Sequence, residues 1–426
     1  MTPLPGVTYG AAAARRGART VSRAAPPRDP APDALLRRSS ESWPGAQNGM
    51  PVGDAADARA TAHAPDAISG ATPLISVVVP TYRRPMMLDR CLDALLAQRL
   101  SPNDFEIIVC DDGPDEGTRE TVERHAAERA FSGPVIRYLP ITATQGPAGA
   151  RNAGWRGARA DIVAFTDDDT LPARDWLAAG LTAMAGAAGD LGKPSQLAVV
   201  EQLGHDSDAV AADATARPIA AASGCIDVPL GPRPTDYERD AAGLARAEFA
   251  TANCFVRRET LQRTGGFDER YTSAWREDSD LQFRILANGG RIVRAAAAVV
   301  VHPVRPARWG VSVSQQRKSQ FDALLYKNHP LLFRERIGAA APWLYYLTVT
   351  AFCVGIGEWL AGAPYLAAGA LTLWLLLTVR FAAQRLMRTS HAPSHIAEML
   401  WTSIVIPPLS IYWRIYGACK FRVPFL

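Results

Sequence analysis

The 426-residue sequence predicts an α/β fold, a mostly parallel central sheet flanked by helices, with membrane-associated helices at its C-terminal end. Three observations carry that expectation. Apolar runs of strand length alternate with amphipathic runs of helix length from Leu74 onward. Three consecutive carboxylates, Asp167-Asp168-Asp169, stand where one of those apolar runs ends. Beyond Trp343 the chain turns apolar over lengths close to those that cross a bilayer.

Leu74 to Val79 reads as a buried strand, and Leu88, Cys91, Leu92, Leu95 and Leu96 repeat at the spacing of one helical face. A second strand follows at Phe105 to Cys110, a helix at Glu116 to Ala130, a third strand at Val135 to Leu139 and a short helix at Ala150 to Arg159. The run Ile162-Val163-Ala164-Phe165 then leads into the three acids. In the second half, Ala250 to Val256 reads as a strand followed by a short helix, and Arg276-Glu277-Asp278-Ser279-Asp280-Leu281 opens a helix with an apolar face of Leu281, Phe283, Ile285 and Leu286. Ala296 to Val301 is strand-like, and Ala183 to Arg246 is poorly patterned.

Hydrophobic residues make up 48% of the chain and charged ones 21%, enough for one large core or two smaller ones. Residues 1–72 are rich in Ala, Arg, Pro, Gly and Asp, which predicts a disordered tail. Its arginines precede no apolar segment, which argues against a secretory signal, and Asp29, Asp33, Asp54 and Asp57 argue against a transit peptide. A net charge of +4 gives no reason to expect nucleic acid as a partner. The six cysteines show no C-x-x-C spacing, which favours a reducing compartment.

Ligands of parallel sheets bind beyond the carboxyl ends of the strands. There stand Pro80-Thr81-Tyr82-Arg83-Arg84, then Asp111-Asp112-Gly113, then the loop from Thr144 through Gly146 to Arg151 and Asn152, then the acids. Carboxylates packed this closely repel one another, so a hard divalent cation is the economical counter-ion, against the plainer reading of a solvated acidic turn. Turn chemistry and helix capping are the plain readings of the remaining items.

In their order and spacing these residues resemble a family 2 glycosyltransferase with the GT-A fold, from Leu74 to about Pro330. The resemblance implies a nucleotide-diphosphate sugar donor and a metal cofactor, Mn²⁺ or Mg²⁺. It places Pro80, Thr81, Tyr82 and Arg84 along the nucleoside side of the donor, Asp111 and Asp112 at the base, and Gly146, Arg151 and Asn152 near the diphosphate. Asp167 and Asp169 match the D-x-D pair, one near the ribose and one on the metal, with Asp168 between them against the donor. His302 would complete the metal site. After Gly265-Gly266-Phe267-Asp268-Glu269, the Glu-Asp-x-Asp-Leu pattern implies Asp278 as general base and an inverting displacement, with Glu277 orienting the loop. Arg308-Trp309-Gly310 and Gln315-Gln316-Arg317-Lys318 are expected as a basic lid. The Q-x-x-R-W element of processive members is missing, which implies transfer of a single sugar. A non-catalytic module of the same fold, binding nucleotide or glycan as a scaffold of an envelope complex, is the alternative.

The expected division is a tail over 1–72, a catalytic domain over 73–336 that folds by itself, and a membrane-associated region over 340–426. Spans are expected at 343–360 and 365–379, with Glu358 discordant and aromatic rings at the edges. Met399 to Ala418, broken by Pro407-Pro408, reads as re-entrant or interfacial. Arg380, Arg385 and Arg388 place the following segment on the cytoplasmic face, giving an inner-membrane protein with a cytoplasmic catalytic domain and a lipid-linked or other envelope glycan acceptor.

Overall fold

A computed structural model describes residues 72–130, 132–143, 146–186, 218–338 and 341–425. The tail expected over 1–72 lies, except for its last residue, outside them. The described residues form one compact unit.

Eight strands form one sheet: β1 Ile75–Thr81, β2 Phe105–Asp111, β3 Val135–Pro140, β4 Ile162–Phe165, β5 Leu171–Pro172, β6 Ile219–Asp227, β7 Cys254–Arg257 and β8 Arg291–Val301. Their spatial order is β3-β2-β1-β4-β7-β6-β8-β5. The first four in that order are parallel to their neighbours, and every residue of β1 and β2 is buried, as continuous apolar runs covered on both faces require. The sheet is mostly parallel, with β6 also parallel to β8, and becomes mixed where β7 runs antiparallel to both β4 and β6 and β5 antiparallel to β8. Strand β6 was not anticipated, since Ala-Ala-Ala-Ser-Gly-Cys carries almost no β-branched signal.

Helix α1, Pro85–Leu96, starts earlier than its apolar repeat because Pro85 suits a first helical turn. It buries Leu88, Cys91, Leu92 and Leu95 against one face of the sheet together with Trp176 and Leu177 of α4, Trp176–Met184. Helix α2 is Glu116–Glu128, capped by Asp115, whose Oδ1 accepts from the Thr118 amide at 3.2 Å. Helix α3, Pro147–Arg156, covers the other face, where Trp155 packs with Phe165, Phe267 and Leu281. The expected strand at Ala250 begins only at Cys254, because Ala250 to Asn253 turns on an Asn253 N–H to Ala250 O bond of 3.0 Å. Helices α5, Asp236–Ala241, α6, Arg258–Thr264, α7, Glu277–Ala287, and α8, Gln320–Asn328, complete this part.

Three helices close the chain: α9 Trp343–Leu360, α10 Pro364–Leu386 and α11 Pro393–Phe421. Among the described residues only α10 is long and apolar enough to cross a membrane, so one of the two expected spans falls short; α9 carries Glu358 and polar-edged aromatic rings. Of the apolar window of α10, 17% is buried, unlike a core helix. Pro407 and Pro408 do not break α11, which continues through both. Its end joins the catalytic part: Phe421 and Phe425 share a core with Tyr271, Trp275, Phe283, Phe321 and Phe333. Arg385 of α10 reaches Asp236 of α5 at 2.7 Å and Thr402 of α11 at 2.6 Å, so it ties helices to the catalytic part rather than lying free at a bilayer surface.

Candidate active site

The two-residue strand β5 positions the acids. Pairing of Leu171 with Val301 lays the β4–β5 link beside the end of β8, which brings His302 to the three carboxylates. Ligand atoms of Asp167, Asp169 and His302 lie within 4.8 Å of one another. Two carboxylates and an imidazole form a donor set that fits a hard or borderline divalent cation.

Consecutive acids cannot all face the same way. Asp168 is fully buried and turns back into the fold, where its Oδ2 accepts from the Thr81 hydroxyl at 2.7 Å and meets Arg84 Nε at 3.1 Å. Burial pushes its carboxyl up to about 7 despite Arg84. Asp168 and Thr81, both expected along the donor, are hydrogen-bonded to each other and join β1 to the acidic link; Pro80 is likewise buried inside β1. Burial also acts to raise Asp167, but Arg151 and His302 outweigh it and hold the carboxyl below its usual range. Asp169 Oδ2 meets Arg305 Nε at 2.8 Å and Arg84 Nη1 at 3.9 Å.

At the end of β2, Asp111 is fully buried and accepts from the Gly113 and Asp115 amides and the Tyr138 hydroxyl, leaving it as the builder of the turn. Asp112 is the available carboxylate. One oxygen accepts from the Gly146 amide at 2.7 Å while the other has no partner, and burial raises its pKa. Tyr82 is 48% exposed and lies over Gly113, where an added Cβ would meet the ring at 2.5 Å. A flat aromatic surface beside Asp112 suits a nucleobase.

Arg151 and Asn152, expected near the diphosphate, are both engaged with neighbouring side chains. Arg151 is 2% exposed and spans two acids, Asp167 at 2.7 Å and Glu277 at 3.0 Å. Asn152 donates to the Phe267 carbonyl and Glu269 and accepts from the Phe267 amide and Trp155, so no part of its amide is left for a ligand. It pins Gly266, whose φ of +74° and 2.4 Å Cβ approach to the Asn152 side chain admit only glycine.

Glu277 and Asp278 open α7 after Arg276, itself in the left-handed region at φ 73°. Burial, then Asp278, pushes Glu277 up to about 7 against the pull of Arg151. Asp278 is half-buried, with Oδ1 accepting from the Ser279 amide at 2.7 Å; burial raises its pKa above the usual carboxylate range. Asp280 is consumed structurally by Arg284, His329 and Asn328.

The basic lid does not form as expected. Trp309 stacks on Trp401 at 5.2 Å, the Gly310 amide donates to Glu398, and Arg317 lies over Trp413, so this segment is fastened to α11. Lys318 alone turns toward the site, its pKa lowered by burial against the attraction of Glu277. Arg305 escaped the sequence reading; a basic residue three positions after His302 was the available signal.

The strand-end crevice holds an exposed ring, a free carboxylate, a D-x-D pair and a second acidic pair, the arrangement expected of a GT-A nucleotide-sugar transferase fold. Residues 76–190 match the model for glycosyl transferase family 2, and residues 238–414 that for glycosyl transferase family group 2. The chain belongs to the family 2 glycosyltransferases. It is 29% identical over 258 residues to validoxylamine A glucosyltransferase of Streptomyces hygroscopicus subsp. limoneus, covering 58% of this chain and 52% of the relative. It is 32% identical over 97 residues to the GalNAc(5)-diNAcBac-PP-undecaprenol beta-1,3-glucosyltransferase of Campylobacter jejuni subsp. jejuni, covering 23% and 30%. The chain thus spans about half the length of the first of these relatives or less. Among solved structures it is similar to the mannosyltransferase PcManGT of Pyrobaculum calidifontis in complex with GDP-Man and Mn²⁺, at 22% identity and TM-score 0.45, covering 82% of this chain and 87% of that one.

Proposed function

We propose that this chain is a membrane-associated inverting glycosyltransferase that moves one sugar from a nucleoside-diphosphate donor to a lipid-linked or other envelope glycan acceptor. The observation that carries the reading is the bridge by Arg151 from Asp167 to Glu277, which sets the metal-ligating acids and the general-base candidate Asp278 into one crevice. Tyr82 and Asp112 receive the nucleobase. Asp167, Asp169 and His302 would hold the divalent cation, which supplies Lewis-acid neutralisation of charge on the departing diphosphate. Arg84 and Arg305 lie beside those acids to meet the phosphates. Asp278 accepts the proton of the acceptor hydroxyl as its oxygen attacks the anomeric carbon, and a single displacement inverts that centre. The exposed apolar helix α10 supports membrane association, with the catalytic part on the cytoplasmic side; the undecaprenyl-diphosphate substrate in the name of the Campylobacter relative supports a lipid-linked acceptor.

The test is a donor panel. Full-length protein is incubated with UDP- and GDP-linked sugars, with Mn²⁺, Mg²⁺ or chelator, and nucleoside diphosphate release is followed. Metal-dependent release that disappears in Asp169→Asn is expected. Release from no donor, or full activity of that variant at saturating donor, refutes the assignment.

A further inference from the structure

Beside Asp278 opens a small cleft whose lining includes Glu248, Phe249, Arg276, Gln282 and Arg336. Two of these groups, Arg336 and Gln282, converge on one carboxylate, while Arg336 Nε also lies 3.5 Å from Glu335 and Arg276 pairs with Asp322 at 2.6 Å. Glu248 Oε2 accepts from Arg336 Nη1 at 2.9 Å and from Gln282 Nε2 at 3.1 Å. The Arg336 side chain is 7% exposed and its Nη2 is buried with no hydrogen-bond partner, whereas Glu248 is 44% exposed at the rim. A buried guanidinium nitrogen without an acceptor is costly to leave so, and an oxyanion entering in place of the rim carboxylate would find the Arg336 guanidinium and the Gln282 amide as donors. Arg276, held at φ 73° with its guanidinium 4.8 Å over Trp275 and its Nε 2.6 Å from Asp322 Oδ1, adds a second, already paired cation; a non-glycine residue kept in that region stores strain, which points to a functional constraint. Arg336 stands a few residues before Trp343, where the apolar helices begin.

We infer that this cleft is an oxyanion subsite for the acceptor, which takes a phosphate carried near the hydroxyl to be glycosylated. Glu248 occupies the oxyanion position until the acceptor displaces it. Phosphate is favoured because its several oxygens can use both donor groups and because phosphate head groups are what a membrane surface presents beside α9 and α10. The inference rests on the proposed function for its chemistry. The acceptor O–H bond breaks and its proton passes to Asp278; the oxygen bonds the anomeric carbon; the bond from that carbon to the diphosphate breaks, its electron pair leaving with the nucleoside diphosphate.

Full-length protein in dodecyl maltoside with chelator is titrated calorimetrically with inorganic phosphate and, separately, with dodecyl phosphate in mixed micelles. Arg336→Gln should weaken binding about tenfold, and Glu248→Gln, which removes the competing charge, should tighten it at least twofold. UDP and GDP affinities with Mn²⁺ stay unchanged in both variants. Arg336-dependent binding of either probe supports the subsite, and preference for dodecyl phosphate assigns it to a lipid-borne acceptor. No binding of either probe, less than a threefold loss in Arg336→Gln, or Glu248→Gln binding no tighter than the parent overturns it; should Arg336→Gln fail to fold, Glu248→Gln decides alone. Donor cleavage with Arg336-independent phosphate binding would sink this inference and spare the proposed function, while the reverse pattern would do the opposite.

Discussion

The half of the sheet built from β1 to β4 and the half built from β6 to β8 handle charge in opposite ways. In the first, parallel strands deliver side chains to a common edge, and acids there divide cleanly. Asp111 and Asp168 turn inward and are consumed by the turn and by Thr81 with Arg84, while Asp112, Asp167 and Asp169 are left to face the crevice. In the second, function sits at the start of α7 and depends on long-range partners, Arg151 for Glu277 and a shared aromatic core for the surrounding helices. Strand order delivers Asp112, Asp167 and Asp169 to one edge; tertiary packing, including the C-terminal helices, positions the start of α7.

The largest test of that difference is a cut. Truncation after Arg336 removes Phe421 and Phe425 from the core around Tyr271 and Phe333, each worth roughly 1.5–3 kcal/mol of burial, and also removes the α11 groups that fasten Trp309 and Gly310. The fragment 73–336 should therefore aggregate or bind a hydrophobic dye. A monomeric fragment with a sharp unfolding transition would show that the start of α7 needs no help from the C-terminal helices. Next in size is chemistry. Asp278→Asn keeps shape and removes basicity, so turnover should fall by about 10² to 10⁴ while nucleoside-diphosphate affinity stays near the parent value. Normal turnover there would move the base elsewhere.

These contrasts also explain what the sequence could disclose. Continuous apolar runs made β1, β2 and β4 visible, and the acids at their ends followed from fold class. Which acid faces which way did not: Asp167, Asp168 and Asp169 are chemically identical in the sequence, and only the pairing of β5 with β8 and the reach of Thr81 separate them. Arg151 was visible as a motif residue, but its two acid partners lie 16 and 126 positions away in sequence, and no local pattern encodes that. Strand β6, with only two β-branched residues among nine, owes its existence to its neighbours on either side. The fastening of the expected lid to α11 depends on Trp401 and Glu398, about ninety residues downstream of the lid.

Arg151 supplies a smaller, thermodynamic test. Removing one member of a buried ion pair typically costs about 3–5 kcal/mol, because its partner is left charged and unpaired. Arg151→Gln should lose stability of that order in denaturant unfolding, whereas Arg84→Gln, whose side chain is 30% exposed, should lose about 1 kcal/mol or less. Equal losses would mean that the bridge between the two halves is no stronger than its rim.

The finest test uses pH. Glu277 sits at about 7 in the fold, above its ordinary value of 4.5, because burial and Asp278 outweigh Arg151. Between those values the folded chain holds a proton that the unfolded chain has released, so the contribution of Glu277 to stability is complete below about pH 4.5 and is lost as pH rises through 7. The loss should be on the order of 3 kcal/mol, given that one pKa unit corresponds to about 1.4 kcal/mol and that the value of about 7 already includes the pull of Arg151. Unfolding free energies of the parent and Glu277→Gln at pH 5, 6, 7 and 8 give the measurement. The difference between them should change over this interval, with the parent losing stability relative to the variant as pH rises. A constant difference would mean that Glu277 is ionised throughout, and that Arg151 alone sets the charge at the start of α7.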